Sequence, residues 1–216
     1  MSGKSRRKNE RSGVVFSYFC CSILVIMKLN KTFVFTLLAL IAVAALYRIL
    51  PNRPLGFAPQ IAIALFAGSI IKDRKYAFAL PILSMFISDA LYQVLYNAGL
   101  SSIKGFYGGQ LTNYILFAGL TVMGFFINQK KAWQIGLGAL AGPTIYFLVS
   151  NFFVWIGGGL DLNGLPYPKT IEGLASAYTA AIPFYTGSIY ATVVFCTMFF
   201  GGYALLTTKE LKPAKA

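Results

Sequence analysis

Blocks of roughly 18–25 apolar residues recur along this chain, separated by short polar connections. The pattern predicts a polytopic helical membrane protein, because a helix needs about 20 apolar residues to cross the hydrocarbon. Six spans are expected, at about 33–50, 57–71, 76–98, 107–127, 133–157 and 181–206. The second is short for a crossing, so it should be tilted, broken or extended into the loop before it. No alternating ten-residue segments of the kind that build a β-barrel are visible. Pro81, Pro143 and Pro183 should kink or interrupt their helices, with a bend at Gly142–Pro143.

Composition agrees: 57% of residues are hydrophobic and 12% charged, against about 25% charged in a soluble domain. Of the 19 Lys and Arg residues, only Arg48, Arg53, Lys104 and Lys169 fall on one side of the six spans; the others fall on the opposite side. The positive-inside rule then puts both termini in the cytoplasm of a bacterial cell, with the protein in the inner membrane. The net charge of +13 reflects this topology, and no nucleic-acid partner is implied.

The first 26 residues do not fit. A basic tail, "MSGKSRRKNERSG", precedes an apolar run, Val14–Ile26, too short to span and followed by no cleavage site. Met27 opens "MKLNKTF", which reads as a bacterial start. Residues 1–26 are read as a start-site extension or surface anchor, 27–208 as the six-helix membrane domain and 209–216 as a basic cytoplasmic tail. Cys20, Cys21 and Cys196 have neither disulfide nor metal spacing.

Polar side chains inside spans are expensive and therefore informative. Gln60, Asp89, Gln93, Asn97, Gln110, Asn113 and Asn151 all lie in the outward halves of their helices, which predicts an outward polar vestibule and a closed inner half. Asp89, Gln93 and Tyr96 share one helix face; Gln110, Asn113, Tyr114 and Phe117 share another. Asn151 lies one turn from Trp155, and Tyr185 aligns with Ser188 and Thr192. Aromatic walls with a few amides and one carboxylate suit a small planar or polar solute. Arg48, Asp89, Gln93, Tyr96, Gln110, Asn113, Asn151, Trp155 and Tyr185 are the candidate substrate-binding residues. The alternative is an interfacial aromatic belt plus amides bonding between helices.

Asp89 is the only acid in any span, and the long side chain of Arg48 could reach part of the way to it. The carboxylate is open to a ligand role, a helix-to-helix clamp or proton coupling. Arg48 and Arg53, in a loop stiffened by Pro51, Pro54 and Pro59, would meet an anionic solute group, Asp89 or headgroup phosphates. Small residues four apart (Ala58 and Ala62, Ala64 and Gly68, Gly138 and Gly142) permit close helix packing, within the chain or onto a partner. In the outer connection Gly157–Ala180, Ile171, Leu174, Ala175 and Tyr178 predict a short amphipathic helix on the outer surface, as a lid or a passive link.

The stretches "RILPNRPLGFAPQIAIALFAGSII", "LPILSMFISDALY" and "YPKTIEGLASAYTAAIPF" resemble a small bacterial family of uncharacterised multi-pass proteins assigned to transport, over about residues 28–207. That family is distantly similar to the substrate-binding (S) subunits of energy-coupling factor (ECF) transporters. The resemblance implies an all-α bundle of six transmembrane helices and solute binding near the outer side. It also implies a separate ECF-type membrane subunit and ATPases as partners. An Ala-x-x-x-Ala docking motif belongs in the first helix of such subunits; here Ala39, Ala42, Ala44 and Ala45 are never four apart. With no histidine in the chain, nickel or cobalt is not the expected solute.

The expected function is therefore that of a solute-binding subunit for vitamin-like nutrient uptake, in contact with the lipid bilayer and a small-molecule solute. It would hold no cofactor and no metal, and it would not be an enzyme. A structural envelope scaffold and a proton-coupled secondary transporter using Asp89 are the alternatives, and no internal repeat favours the latter. The glycine-rich stretches lack the lysine of a nucleotide-binding P-loop, and the absence of histidine removes Ser-His catalysis.

Overall fold

A computed structural model describes residues 31–50, 52–161 and 163–210. The expectations about the 1–26 extension with Cys20 and Cys21, about Pro51 and about the end of the tail lie outside those residues. Residues 1–40 and 41–216 form two units; in the first, the described stretch 31–40 is helical. The candidate site belongs to the second alone.

Among the described residues six helices follow one another: α1 (Lys31–Ile49), α2 (Gln60–Ile70), α3 (Arg74–Asn97), α4 (Gln110–Gly124), α5 (Ala132–Ile156) and α6 (Ile171–Glu210). Long apolar runs account for them, since a backbone in an apolar medium must satisfy its own N–H and C=O groups. Arg74–Asn97, Ala132–Ile156 and Ile171–Leu205 are long and apolar enough to cross a membrane.

The short α2 is the hub. Its 11 residues rise only about 16 Å, roughly half the hydrocarbon thickness. Ile61, Ala62, Ile63, Ala64, Leu65, Ala67 and Gly68 are all buried, and α2 packs against α3, α4, α5 and α6. The small residues serve this internal packing. A side chain on Gly68 would run into the Thr121 carbonyl, and one on Gly124 would meet the Leu65 carbonyl at 2.5 Å. Gly142 would meet Ile61 and Leu65, each at 3.2 Å. Glycine at these crossings lets α4 and α5 close on α2. Ile61, Leu65, Met85, Leu120, Cys196 and Phe200 belong to the apolar core around it.

Two expectations are corrected. Residues 171–178 do not form a separate surface helix; they are the first turns of α6, one continuous helix of 40 residues. Of the kink or interruption expected at the prolines, the interruption does not occur, since Pro81, Pro143 and Pro183 all sit inside continuous helices. Each proline forgoes one helical hydrogen bond, a loss that the bonds and packing of the rest of a long helix can absorb.

Candidate functional site

One end of the bundle gathers the C-terminal parts of α1 and α3, the N-terminal parts of α2 and α4, and Phe184 and Ser188, in the fourth and fifth turns of α6, around a cavity of about 1140 Å³. Arg48, Gln60, Tyr92, Asn113, Phe117 and Tyr146 are among its lining residues.

Arg48 ends α1, where carbonyls lack intrahelical partners. Its own carbonyl is satisfied by Tyr92 Oη at 2.7 Å and Arg53 Nε at 2.9 Å. Its guanidinium reaches into α3, bonding the Asp89 carboxylate and Ser88 Oγ, the latter at 2.6 Å. This is the one ion pair among the described residues. The Asp89 side chain is 1% exposed and that of Arg48 18%. The second Asp89 oxygen accepts from Gln110 Nε2 at 2.6 Å and Tyr114 Oη at 2.8 Å. Three donors from two other helices thus converge on a single buried carboxylate. A buried charge is tolerable only when paired and hydrogen-bonded, and both conditions are met.

The remaining candidates separate into three groups. Asn113 lines the large cavity, donating to Tyr107 Oη at 2.6 Å and accepting from Tyr146 Oη at 3.0 Å. Asn151 and Tyr185 line a second cavity of about 320 Å³ between α5 and α6. Asn151 donates to the Phe147 carbonyl at 2.7 Å, and the Tyr185 ring stacks on Phe147 with centroids 4.5 Å apart. Tyr146, Phe184 and Ser188 line both cavities, which therefore adjoin.

Gln93, Tyr96 and Trp155 line neither. Gln93 accepts from the Phe106 N–H at 3.2 Å and so ties the 98–109 loop to α3. Tyr96, 37% exposed, faces the Lys104 ammonium at 5.6 Å. Trp155 donates to the Pro168 carbonyl at 2.8 Å, and the Lys169 ammonium bonds the Trp155 carbonyl. These contacts fasten the 157–170 loop. Within it, Leu160 bridges Pro166, and the Asp161 carboxylate accepts from the N–H groups of Asn163 and Leu165 at 2.8 and 2.9 Å. Those bonds hold the exposed Asp161 carboxyl below its ordinary range, the Leu165 amide contributing most.

Several lining residues were not among the candidates. Gln60 carried the same signal as the chosen amides, a carboxamide inside an apolar run. Arg53, a loop charge expected to meet an anionic solute group, Asp89 or headgroup phosphates, lines the cavity beside Arg48. Tyr107 and Tyr146 carried no local signal, because what marks them is their bonding to Asn113 across 6 and 33 positions. Among the described residues, no group of three His, Cys, Asp or Glu side chains could hold a metal ion.

The model of the family described as "Family of unknown function (DUF6580)" matches residues 28–214. The chain belongs to that family. No curated protein and no solved structure matches it. The matched region takes in the whole cavity lining and the Arg48–Asp89 pair.

Proposed function

We propose that this DUF6580 protein is a solute-binding membrane subunit for uptake of a vitamin-like nutrient, with the large cavity as its solute site. The observation that carries the reading is the contrast between the two ends of the bundle. One holds a cavity of about 1140 Å³ lined by arginine, amide and aromatic side chains. Toward the other, Leu65, Leu120, Cys196 and Phe200 close into apolar packing. A binding subunit needs such one-sided access, whereas a channel is polar along its length. In this reading all six helices lie in the bacterial inner membrane with both termini in the cytoplasm, supported by the distribution of Lys and Arg. The bundle is arranged in the manner of an ECF S subunit, and an ECF-type membrane subunit with ATPases supplies the energy.

Native mass spectrometry of the protein released gently from its own membrane tests this. A bound small molecule, lost in Asn113→Leu, is the expected result. A protein carrying only lipid, or an envelope protein in place of a solute, would move the reading to a structural scaffold.

A further inference from the structure

The lining of the large cavity is unbalanced in charge. Arg48 and Arg53 both line it, and no carboxylate does. Asp89 neutralises Arg48, and its oxygens already accept from Arg48, Gln110 and Tyr114, which leaves it little capacity for a ligand. Arg53 is bonded only to main-chain carbonyls, those of Arg48 at 2.9 Å and Phe57 at 3.3 Å. Among the described residues it pairs with no acid. One uncompensated positive charge therefore borders a space otherwise lined by apolar, aromatic and uncharged polar side chains, where attraction to an anion is stronger than in open water.

The hydrogen bonding is unbalanced too. Gln60, the first residue of α2, lines the cavity and is 3% exposed. Its Nε2 donates to the Ala44 carbonyl at 3.3 Å, but its Oε1 has no hydrogen-bond partner. Turning the amide over would set two carbonyl oxygens against each other at Ala44, so the bond fixes which atom is left over. A buried acceptor without a donor is costly, and native proteins seldom keep one without a use. Pro59 gives the same helix end no side-chain cap, and the partial positive charge there adds to that of Arg53.

We infer that the cavity takes a planar organic acid that also carries an N–H or O–H donor. The anionic group meets Arg53 and the start of α2, the ring lies against Tyr107, Phe117 and Tyr146, and the donor meets Gln60 Oε1. The inference rests on the uptake reading, since this acid would be the transported solute.

Three matched probes test it by equilibrium dialysis against the full chain in detergent. Indole-3-acetate has ring, anion and N–H; 1-methylindole-3-acetate lacks the N–H; indole-3-acetamide lacks the anion. The expected result is retention of indole-3-acetate, with each of the other two about tenfold weaker or more. Gln60→Leu should erase the preference for N–H over N-methyl and keep that for acid over amide. Arg53→Gln should do the reverse. Equal retention of acid and amide by the wild type would overturn the assignment. An N–H preference that survives Gln60→Leu would do so too, as would failure of all three probes to bind. The wild-type comparison decides by itself should a variant fail to fold. If all three fail while native mass spectrometry finds a neutral or cationic solute, the assignment falls and the uptake reading stands. A protein with no solute removes both.

Discussion

The guanidinium of Arg48, at the end of α1, is bound to the carboxylate of Asp89, about two turns before the end of α3. The pair is the centre of a polar cluster to which Gln110 and Tyr114 add their donors. Its first role is to join helices. Removing one partner leaves the other charge buried and alone, so Asp89→Ala is expected to cost about 3–5 kcal/mol. Replacing both with apolar side chains of similar volume, Arg48→Met with Asp89→Leu, should recover most of that loss. Denaturant unfolding of the wild type and both variants in one detergent checks this. A single-variant cost below about 1 kcal/mol would mean that the pair behaves as a solvated one.

Gly105 sets the loop over this cluster. Its backbone lies against the Asp89 carbonyl, and a Cβ there would also meet Gln93 N at 2.5 Å and Gln93 Cβ at 2.8 Å. Gly105→Ala must lift the loop from α3. That would draw the Gly105 carbonyl away from Gln110 Nε2 and the Phe106 N–H away from Gln93 Oε1. A loss of about 1–3 kcal/mol is expected, with faster amide exchange over 98–109. At Gly108, where a Cβ would meet nothing within 4 Å, the same substitution should stay within about 0.5 kcal/mol.

The parts of this arrangement legible in the sequence are those set by the cost of polar groups in hydrocarbon. The runs at 76–98 and 133–157 fall within two residues of α3 and α5, because long apolar blocks bounded by charge or glycine leave few other choices. The intramembrane amides and Asp89 were singled out one by one, and the fold brings Gln60, Asp89, Gln110 and Asn113 to one end. Their partners were not legible. Tyr146 meets Asn113 only through the packing of α5 on α4, which no local spacing encodes. The length of α6 was hidden for another reason. The amphipathic turn at 171–178 and Pro183 each look like a boundary, yet the helix runs through both.

Gly56 and Gly187 interlock the cavity rim with α6. Gly56 holds φ at +70°, and a Cβ there would enter the Phe184 backbone, 2.7 Å from its carbonyl carbon. Conversely, a Cβ on Gly187 would press on the Leu55 carbonyl and come within 3.3 Å of Phe57 N. Ser188 Oγ adds a bond to the Gly56 carbonyl at 3.2 Å. Gly187→Ala should push the 52–57 segment outward and, because Arg53 belongs to that segment, loosen the cavity wall. We expect destabilisation of about 1–3 kcal/mol, together with loss of any solute carried through purification. Unfolding and native mass spectrometry of the same preparation check both. A variant that keeps solute and stability would show that the rim moves without consequence.

The hairpin at 159–167 should respond to acid. Asp161 accepts from Asn163 and Leu165, and these bonds are stronger to the charged carboxylate than to the neutral acid, so its pKa is lower folded than unfolded. A depressed folded pKa gives stability that is present above the unfolded value of 3.8 and is lost as pH falls through the folded one. The turn should therefore be closed at neutral pH and open only in acid. Tyr167, 8% exposed and lining the second cavity, would be released with it. Hydrogen exchange of the 159–167 segment between pH 3 and pH 7, corrected for intrinsic rates, should show protection lost at the acid end. Asp161→Asn keeps the shape and an acceptor oxygen but not the charge, so its protection should be flat across the same range and no higher than that of the wild type at pH 7. Wild-type protection that does not vary with pH would place the hold on this loop elsewhere, in the Trp155 and Lys169 contacts at its other end.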